Sequence, residues 1–128
     1  MIVDASALIA ILMGEPEEQL FVQAIRAAPV CRMSPVNWFE AALKAENAIP
    51  SSMQSLEEFV ARAGIEIVPI DKAQARLAHQ AWRLFGKGRH EARLSLGDCF
   101  AYALAKQTSE PLLFKGGDFG RTDIVSAV

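Results

Sequence analysis

The residues of this sequence best suited to chemistry are four separated acids, Asp4, Glu40, Asp98 and Asp118. Carboxylates that pack together repel one another, and burial raises their pKa values, so such a cluster tends to hold protons. A divalent cation removes this conflict. Ligation by oxygen alone favours Mg²⁺ or Mn²⁺, and the sequence has no set of Cys and His at zinc-binding spacing. The four acids therefore predict a Mg²⁺ site, with Mn²⁺ as the alternative, provided that the fold brings them together.

The chemistry expected of such a site is hydrolysis at phosphorus. Mg²⁺ keeps several of its waters and is usually held directly by only one or two carboxylates, so the remaining acids would act through water. The ion lowers the pKa of a bound water and neutralises the charge of a phosphodiester. In-line hydrolysis needs both effects.

Asp98 lies near the start of the most apolar helix that the sequence predicts, over residues 95–106. Ser95 can cap this helix, and Asp98 follows three residues later. Because the helix is apolar nearly all round, we expect it to be buried and Asp98 to lie at the floor of a cleft. The alternative is structural: Asp98 completes a capping box and complements the helix dipole.

Glu40 lies on a helix predicted over residues 36–48, where the arrangement of apolar residues decides its interpretation. At about 100° per residue, one stripe of this helix comprises Val36, Phe39, Leu43 and Asn47. Glu40 lies at the edge of this stripe, so we expect its carboxylate to face a cleft. The alternative is a solvated ion pair with Lys44, four residues later.

Strands and helices alternate along the chain, which indicates a parallel sheet covered by helices on both faces. Strands are predicted at 1–3, 30–33, 66–70 and 111–114, with a short fifth strand at 123–125. Helices are predicted at 5–13, 15–27, 36–48, 53–63, 72–85 and 95–106, the third ended by Pro50. The expected fold is therefore a three-layer α/β/α domain around a mostly parallel sheet of four to five strands, with residues 1–128 forming one domain.

This topology places the four acids near one edge of the sheet. Asp4 and Asp118 each follow a predicted strand, and ligands of open parallel sheets bind at the carboxyl ends of the strands. Asp98 begins the helix that leads into the fourth strand, and Glu40 comes from the helix after the second strand. We therefore expect the four carboxylates to converge.

Composition and charge narrow the possible classes of function. The 128 residues are 52% hydrophobic and 22% charged, as in a compact globular protein, and no apolar run reaches the ~20 residues of a membrane span. No signal peptide is evident, and Cys31 and Cys99 lie inside predicted elements, so we expect free thiols and a cytoplasmic location. The net charge of −2 argues against a large basic surface for nucleic acid but permits a local basic patch.

A resemblance to a known family rests on three segments and one acid: MIVDAS at 1–6, GDCFAYALA at 97–105, LLFKGGDF at 112–119, and the helical Glu40. Together they resemble a PIN domain, and more narrowly the VapC-type toxins of bacterial toxin–antitoxin pairs. The similarity covers the whole chain, and its central block is specific. It implies a small Mg²⁺-dependent endoribonuclease that a cognate antitoxin holds inactive. It also implies a homodimer or a toxin–antitoxin hetero-oligomer.

The resemblance also implies roles for particular residues. The positions that match the family's catalytic and metal-binding acids are Asp4, Glu40, Asp98 and Asp118. Ser6 matches the small hydroxyl residue beside the first acid, and it is included in the expected catalytic site. One departure is Gly117, where many relatives carry a further acid, and this makes Asp118 the least secure of the four.

The partners that the resemblance implies need surfaces of their own. RNA that approaches an acidic site needs local cations, and the candidates are Lys87, Arg89, Arg93 and Arg121. The first two predicted helices carry more apolar residues than one sheet-facing stripe requires. Ile9 and part of the group at 20–25 are therefore expected to form an exposed groove for an antitoxin segment. The alternative is that they pack in the core or in a homodimer interface.

Three other classes fit parts of the pattern. A haloacid-dehalogenase-like phosphatase also begins with a strand ending in Asp, but it needs a second Asp where Ser6 stands. A receiver-like signalling domain needs acids that Glu66 and Asp71 do not supply convincingly. A catalytically inactive scaffold that binds RNA or protein would not need the intact acid set. Metal-dependent cleavage of RNA separates that scaffold from an enzyme.

Overall fold

The computed structural model describes residues 1–48 and 52–128. The strands are β1 (Ile2–Val3), β2 (Cys31–Met33), β3 (Ile65–Ile67) and β4 (Leu112–Leu113). The helices are α1 (Ala5–Leu12), α2 (Glu18–Ala27), α3 (Pro35–Ala48), α4 (Ser52–Arg62), α5 (Lys72–Phe85) and α6 (Leu96–Thr108), and a 3₁₀ turn spans Phe119–Arg121. Within the described ranges, no helix is both long and apolar enough to cross a membrane.

The four strands form one parallel sheet in the order β3-β2-β1-β4. Both faces of the sheet are buried, because successive side chains of a strand point to opposite sides. Ile2 and Leu112 pack with α5 and α6, whereas Val3 and Leu113 pack with α1 to α4. This arrangement confirms the predicted three-layer α/β/α fold.

The sheet has a topological switch point between β1 and β4. The chain adds β2 and then β3 on one side of β1, and it returns to place β4 on the other side. Ile2 pairs with Leu112 and Val3 with Leu113, so the two strands end at the same level. A crevice forms outside the carboxyl ends of strands at such a point.

The predicted fifth strand at 123–125 is wrong. The chain end pairs with β4 only through one bridge between Leu112 and Ser126. The Leu112 amide donates to the Val125 carbonyl at 2.9 Å, and the Ala127 amide donates to the Leu112 carbonyl at 2.9 Å. Because β4 is two residues long, it offers no length for a further ladder.

Prolines account for the main shifts in element bounds. The second helix begins at Glu18 rather than at 15, because residues 15–17 form a turn around Pro16 in which the Glu18 amide donates to the Glu15 carbonyl. The third strand occupies 65–67 rather than 66–70, and Pro69, which has no N–H, cannot extend it. The predicted helix stop at Pro50 lies outside the described residues.

The predicted apolar stripe of the third helix is also wrong. Phe39 is 57% exposed, and Leu43 is exposed as well. The buried face of α3 instead carries small or polar residues, namely Asn37, Ala41, Ala42 and Ala45. Small side chains let α3 pack closely between its neighbours, so the large apolar residues are left on the outside.

The sixth helix is buried as predicted, from Gly97 to Ala105 with the exception of Asp98 and Phe100, which are partly exposed. Its first residue departs from the expectation: Leu96 is 71% exposed. Cys31 and Cys99 are free and buried, which confirms the prediction of unpaired thiols.

Candidate active site

A cavity of about 470 Å³ opens at the carboxyl ends of β1 and β4, and we call it the acid cavity. It contains all four acids predicted from the sequence and the predicted hydroxyl residue. Its lining residues are Asp4, Ser6, Glu40, Lys44, Lys87, Arg93, Ser95, Asp98, Lys115, Asp118 and Phe119. The fold therefore brings the five candidate residues to one place.

Asp4 is the most buried of the acids, with 3% of its surface exposed. It follows β1 and caps the N-terminus of α1, where its Oδ2 atom accepts hydrogen bonds from the Ser6 amide (2.9 Å) and the Ser6 hydroxyl (2.5 Å). Burial raises the pKa of Asp4 to about 6, against the opposing effect of the two Ser6 hydrogen bonds. The charges of Asp98 and Glu40 raise it further.

Asp98 combines the two interpretations that the sequence left open. Its Oδ2 atom accepts from the Ser95 amide at 2.8 Å, and its own amide donates to the Ser95 hydroxyl at 3.2 Å, so the capping box forms. The same carboxylate lines the acid cavity. Burial raises the pKa of Asp98, the Ser95 hydrogen bonds oppose this, and the charges of Glu40 and Asp118 add to the rise.

Glu40 reaches the cavity because the residue opposite it has no side chain. A Cβ atom at position 97 would overlap the Glu40 carboxylate at its Oε2 atom. Gly97 thus lets α3 and α6 approach closely enough to place Glu40 beside Asp98. Glu40 also pairs with Lys44 at 3.4 Å, so the ion pair and the cleft-facing position occur together.

Sequence reasoning missed Asn37, which ties three elements together beneath the acids. This fully buried side chain donates through Nδ2 to Asp4 Oδ1 (3.2 Å) and to the Gly97 carbonyl (3.0 Å). Its Oδ1 atom is buried without a hydrogen-bond partner among the described residues. Asn37 lies on the face of α3 opposite the predicted apolar stripe. A polar residue among the small residues of that face is the signal in the sequence that could have identified it.

Asp118 is exposed and stands apart from the other acids. It follows Gly116, whose φ of 101° favours glycine, and it precedes the 3₁₀ turn. Phe119 anchors this turn, because it is buried and lies 5.1 Å from the Phe114 ring. Asp118 is therefore held in the cavity wall by its neighbour rather than by contacts of its carboxylate.

Of the four predicted cations, two line the acid cavity, Lys87 and Arg93. The other two are engaged elsewhere: the Arg89 guanidinium lies 4.1 Å from the centre of the Trp82 ring, and Arg121 donates to the Glu91 carbonyl at 3.2 Å.

Two further cations of the lining, Lys44 and Lys115, were missed by the sequence analysis. Lys44 pairs with Glu40. Lys115 forms ion pairs with Glu15 and, at 3.1 Å, with Glu17. The positive charge of each lysine is therefore offset by a neighbouring acid.

The chemistry of the donors, four carboxylates, fits a hard divalent cation. In the described part of the chain, no three His, Cys, Asp or Glu side chains form a group that could hold a metal ion. Asp4 accepts hydrogen bonds from Ser6, Asp98 accepts one from Ser95 through Oδ2, and Glu40 pairs with Lys44 through Oε1.

The apolar residues assigned to an antitoxin groove are mostly part of the core. Phe21 and Ile25 are buried, and Ile9 is half-buried against the same core. Their amphipathic pattern reflects packing in the core, so these residues are not available to bind a partner. Leu20, with 51% exposure, is the large residue of this group that remains open to solvent.

Comparison with known proteins gives one consistent result. The PIN-domain family model matches residues 1–125. The chain is 42% identical to "Ribonuclease VapC" of Mycolicibacterium smegmatis, with 98% of each chain covered. It is 44% identical to "Ribonuclease VapC42" of Mycobacterium tuberculosis, with 97% of this chain and 96% of the relative covered.

Two solved structures share the fold. One is VapC20 of Mycobacterium tuberculosis, described as a sarcin–ricin loop cleaving toxin, with a TM-score of 0.74, 19% identity, and 97% and 95% of the two chains covered. The other is a toxin–antitoxin complex from Klebsiella pneumoniae, with a TM-score of 0.74, 21% identity, and 99% and 97% covered. The family model and the 42–44% identical relatives show that this chain belongs to the PIN-domain family and, within it, to the VapC proteins.

Proposed function

We propose that this chain is an endoribonuclease that hydrolyses RNA phosphodiester bonds with a divalent metal ion, Mg²⁺ or Mn²⁺, and acts as the toxin of a toxin–antitoxin pair. The observation that carries the proposal is the gathering of four acids in one cavity, among them the buried Asp4 and the partly buried Asp98, whose pKa values are raised. Burial is the main cause of both raised pKa values, and the neighbouring acids add to it. A cation bound in the cavity would offset both effects. The names of the 42–44% identical relatives support the ribonuclease activity.

The four acids and Ser6 have defined tasks in this mechanism. Asp4 and Asp98 would hold the metal ion, and Glu40 and Asp118 would support it from the cavity wall. When bound, the ion supplies an activated water and charge neutralisation at the phosphate. Ser6 fixes the orientation of Asp4 through its two hydrogen bonds.

The cations at the mouth of the cavity bind the substrate. Lys87 and Arg93 are exposed at its rim, where they attract phosphate groups to an otherwise acidic site. A protein of net charge −2 needs such local cations to bind a polyanion.

The antitoxin part of the proposal rests on the relatives. A neighbour in structure is a toxin–antitoxin complex, and exposed apolar residues such as Leu20 on α2 are suited to a protein partner. We infer a cytoplasmic protein that exists as a homodimer or in complex with its antitoxin. Growth arrest on expression of this chain alone, relieved by co-expression of a candidate antitoxin, tests this part.

Cleavage of RNA by the purified chain tests the activity. We expect cleavage with Mg²⁺ or Mn²⁺, its loss on chelation with EDTA, and its return when the metal is added back. Asp98→Asn should abolish cleavage, whereas Glu57→Gln, which removes an exposed acid of α4 outside the cavity, should leave it intact. RNA cleavage that persists in EDTA would contradict the metal dependence. An absence of cleavage under every metal condition would favour the inactive scaffold.

A further inference from the structure

A second cavity, of about 610 Å³, opens beside the acid cavity, between α5 and the start of α6. We call it the aromatic groove, after His79 and Trp82, which line it together with Lys87, Ser95 and Leu96. Lys87 and Ser95 line both cavities, so the two share a wall. A molecule that occupies the acid cavity can therefore extend into the aromatic groove.

The aromatic groove exposes large apolar side chains on a concave surface. Leu96 is 71% exposed and Trp82 is 40% exposed, and Phe100 adds to the lining. Single exposed apolar residues are ordinary on a protein surface. Several of them around one cavity, next to a catalytic centre, are typical of a binding subsite.

Trp82 is prepared for stacking by the residues that contact its ring. The Arg89 guanidinium lies over the ring, 4.1 Å from its centre. The His79 ring is nearly parallel to it, with an interplanar angle of 16° and 6.3 Å between the centroids. An aromatic ring is a sequence-tolerant platform for a nucleobase, because every base has a π-face, and a guanidinium beside it can add a cation–π contact.

A basic loop at residues 86–94 runs along both cavities and is firmly held. The Lys87 amide donates to the Leu94 carbonyl at 3.1 Å, which closes the base of the loop. Arg93 has a φ of 53°, a left-handed conformation that costs free energy for a residue other than glycine. Backbone hydrogen bonds within the loop hold its main chain, and the Trp82 ring positions the Arg89 side chain.

We propose that the aromatic groove is a subsite for an unpaired nucleobase of the RNA, adjacent to the phosphate that occupies the acid cavity. The inference rests on the proposed ribonuclease function and specifies its substrate: the base beside the cut must be unstacked, so the RNA is single-stranded or looped there. Trp82 stacks on the base, and Leu96 covers its edge. Lys87 and Arg93 bind the phosphates on either side.

The cations beside the groove favour RNA over a protein as the occupant. Lys87 lines the groove and the acid cavity, Arg93 lines the acid cavity, and Arg89 lies over the Trp82 ring. These cations attract the phosphates of a strand whose base enters the groove. The shared wall with the acid cavity points to the same molecule in both cavities.

The test compares binding of a short fluorescently labelled single-stranded RNA by Trp82 variants, measured by anisotropy in the Asp98→Asn background so that no cleavage intervenes. Trp82→Ala should weaken binding about tenfold, the effect expected for the loss of one stacked base. Trp82→Phe, which retains an aromatic ring, should recover most of the affinity. Leu84→Ala, on the exposed part of the same helix and outside both cavities, is the matched control and should bind like the parent.

A second RNA supplies the decisive comparison. The parent should bind an oligonucleotide with the same backbone but abasic positions about tenfold more weakly than it binds the base-containing RNA. Trp82→Ala should bind the abasic oligonucleotide as tightly as the parent does. A duplex of the same sequence should show no dependence on Trp82. Unfolding temperatures show whether each variant folds. If Trp82→Ala does not fold, Leu96→Gln takes its place, because that side chain is too exposed to support the core.

The outcomes separate this inference from the proposed function. Equal binding of base-containing and abasic RNA by the parent overturns the subsite, whether or not the wild type cleaves RNA. Unchanged RNA binding by Trp82→Ala, with loss of assembly with another protein, overturns it in favour of a protein-docking surface. A wild type that cleaves no RNA contradicts the proposed function, while the binding comparison still decides the role of the groove.

Discussion

The ends of β1 and β4 lie side by side and each supplies one acid to the acid cavity, yet the two acids are held in opposite ways. β1 runs straight into α1, so Asp4 is almost completely buried and its carboxylate accepts hydrogen bonds from Ser6 and Asn37. β4 runs into a glycine-rich turn, and Asp118 is exposed. Its carboxylate accepts no hydrogen bond from the described residues.

The two strand ends are nevertheless coupled. The Asp4 amide donates to the Leu113 carbonyl at 2.9 Å, and the Lys115 amide donates to the Ser6 hydroxyl at 3.0 Å. Asp4 and Asp118 therefore differ in how deeply their carboxylates are buried, although the strand ends that carry them are adjacent. A buried carboxylate has a strong field that solvent and salt screen poorly, but its charge is costly to maintain. An exposed carboxylate costs little and exerts a weaker field.

The largest effect expected from this comparison is on activity. Asp4→Asn keeps the size of the side chain and its ability to cap α1, but removes the buried charge. We expect the rate of metal-dependent RNA cleavage to fall about a thousandfold, because a metal-centred site contributes several kcal/mol of charge stabilisation. Initial rates on a defined RNA measure this effect.

A matched control uses the other Asp that caps a helix in a similar way. Asp71 caps α5 by accepting from the Gln74 amide at 2.7 Å, and it lies outside the acid cavity. Asp71→Asn should leave the cleavage rate within about twofold of the wild type. If both substitutions reduce the rate equally, the loss comes from helix capping and the role of Asp4 in the metal site is wrong.

The second prediction concerns the cost of the buried charge. The pKa of Asp4 is raised from 3.8 to about 6 in the folded protein, so the folded state retains a proton that the unfolded state has lost. Below pH 3.8, the raised pKa of Asp4 does not change the free energy of unfolding. This free energy falls as the pH rises from 3.8 to about 6, and above that range it is lowered by the full cost of the buried charge. The metal-free Asp4→Asn variant should therefore be more stable than the wild type at neutral pH, by on the order of 3 kcal/mol.

Denaturant unfolding in EDTA at pH 4 and pH 7.5 measures this difference. The two proteins should converge at the acidic pH and separate at the alkaline one. Saturating Mg²⁺ should stabilise the wild type and narrow the gap, because an ion that binds only the folded state adds stability by mass action. A variant less stable than the wild type at both pH values would contradict the assignment of Asp4 as a strained charge.

The third prediction tests the close approach of α3 and α6. Gly97→Ala adds a Cβ atom that would overlap the Glu40 carboxylate, so Glu40 must move away from Asp98. We expect a 10- to 100-fold loss of cleavage, since displacements of about 1 Å in a catalytic site have effects of this size. Gly120→Ala is the control, because no atom lies within 4 Å of the corresponding Cβ position. Equal rates for the Gly97→Ala variant and the wild type would show that Glu40 does not need its present position.

The same contact shows how far the sequence predicts this molecule. The alternation of strands and helices gave the sheet, and the position of Asp4 after β1 gave one wall of the cavity. The face of α3 could not be predicted, because its packing depends on small residues and on one buried amide, Asn37. Periodicity of large apolar residues detects a stripe, whereas close helix packing depends on partners that are distant in sequence. The role of Gly97 is likewise defined by Glu40 and Asn37, which are far away along the chain.

The smallest expected effect belongs to Asp118. Asp118→Asn should reduce cleavage about tenfold or less, because an exposed carboxylate is screened by solvent and acts on the site mainly through the waters of the ion. The effect should shrink at high salt, whereas the effect of Asp4→Asn should not. Rates measured across a range of KCl concentrations provide the comparison.

A neighbouring position can sharpen this last result. Gly117 has a φ outside the left-handed region and no atom within 4 Å of the position of a Cβ, so a side chain fits there. Gly117→Asp in the Asp118→Asn background should restore part of the lost rate, because a carboxylate one residue away can also reach waters in the cavity. Gly117→Asn, of the same shape but without charge, should not. If Asp118→Asn instead costs as much as Asp4→Asn and Gly117→Asp restores nothing, Asp118 contacts the metal directly, and burial is then no guide to the importance of an acid at this site.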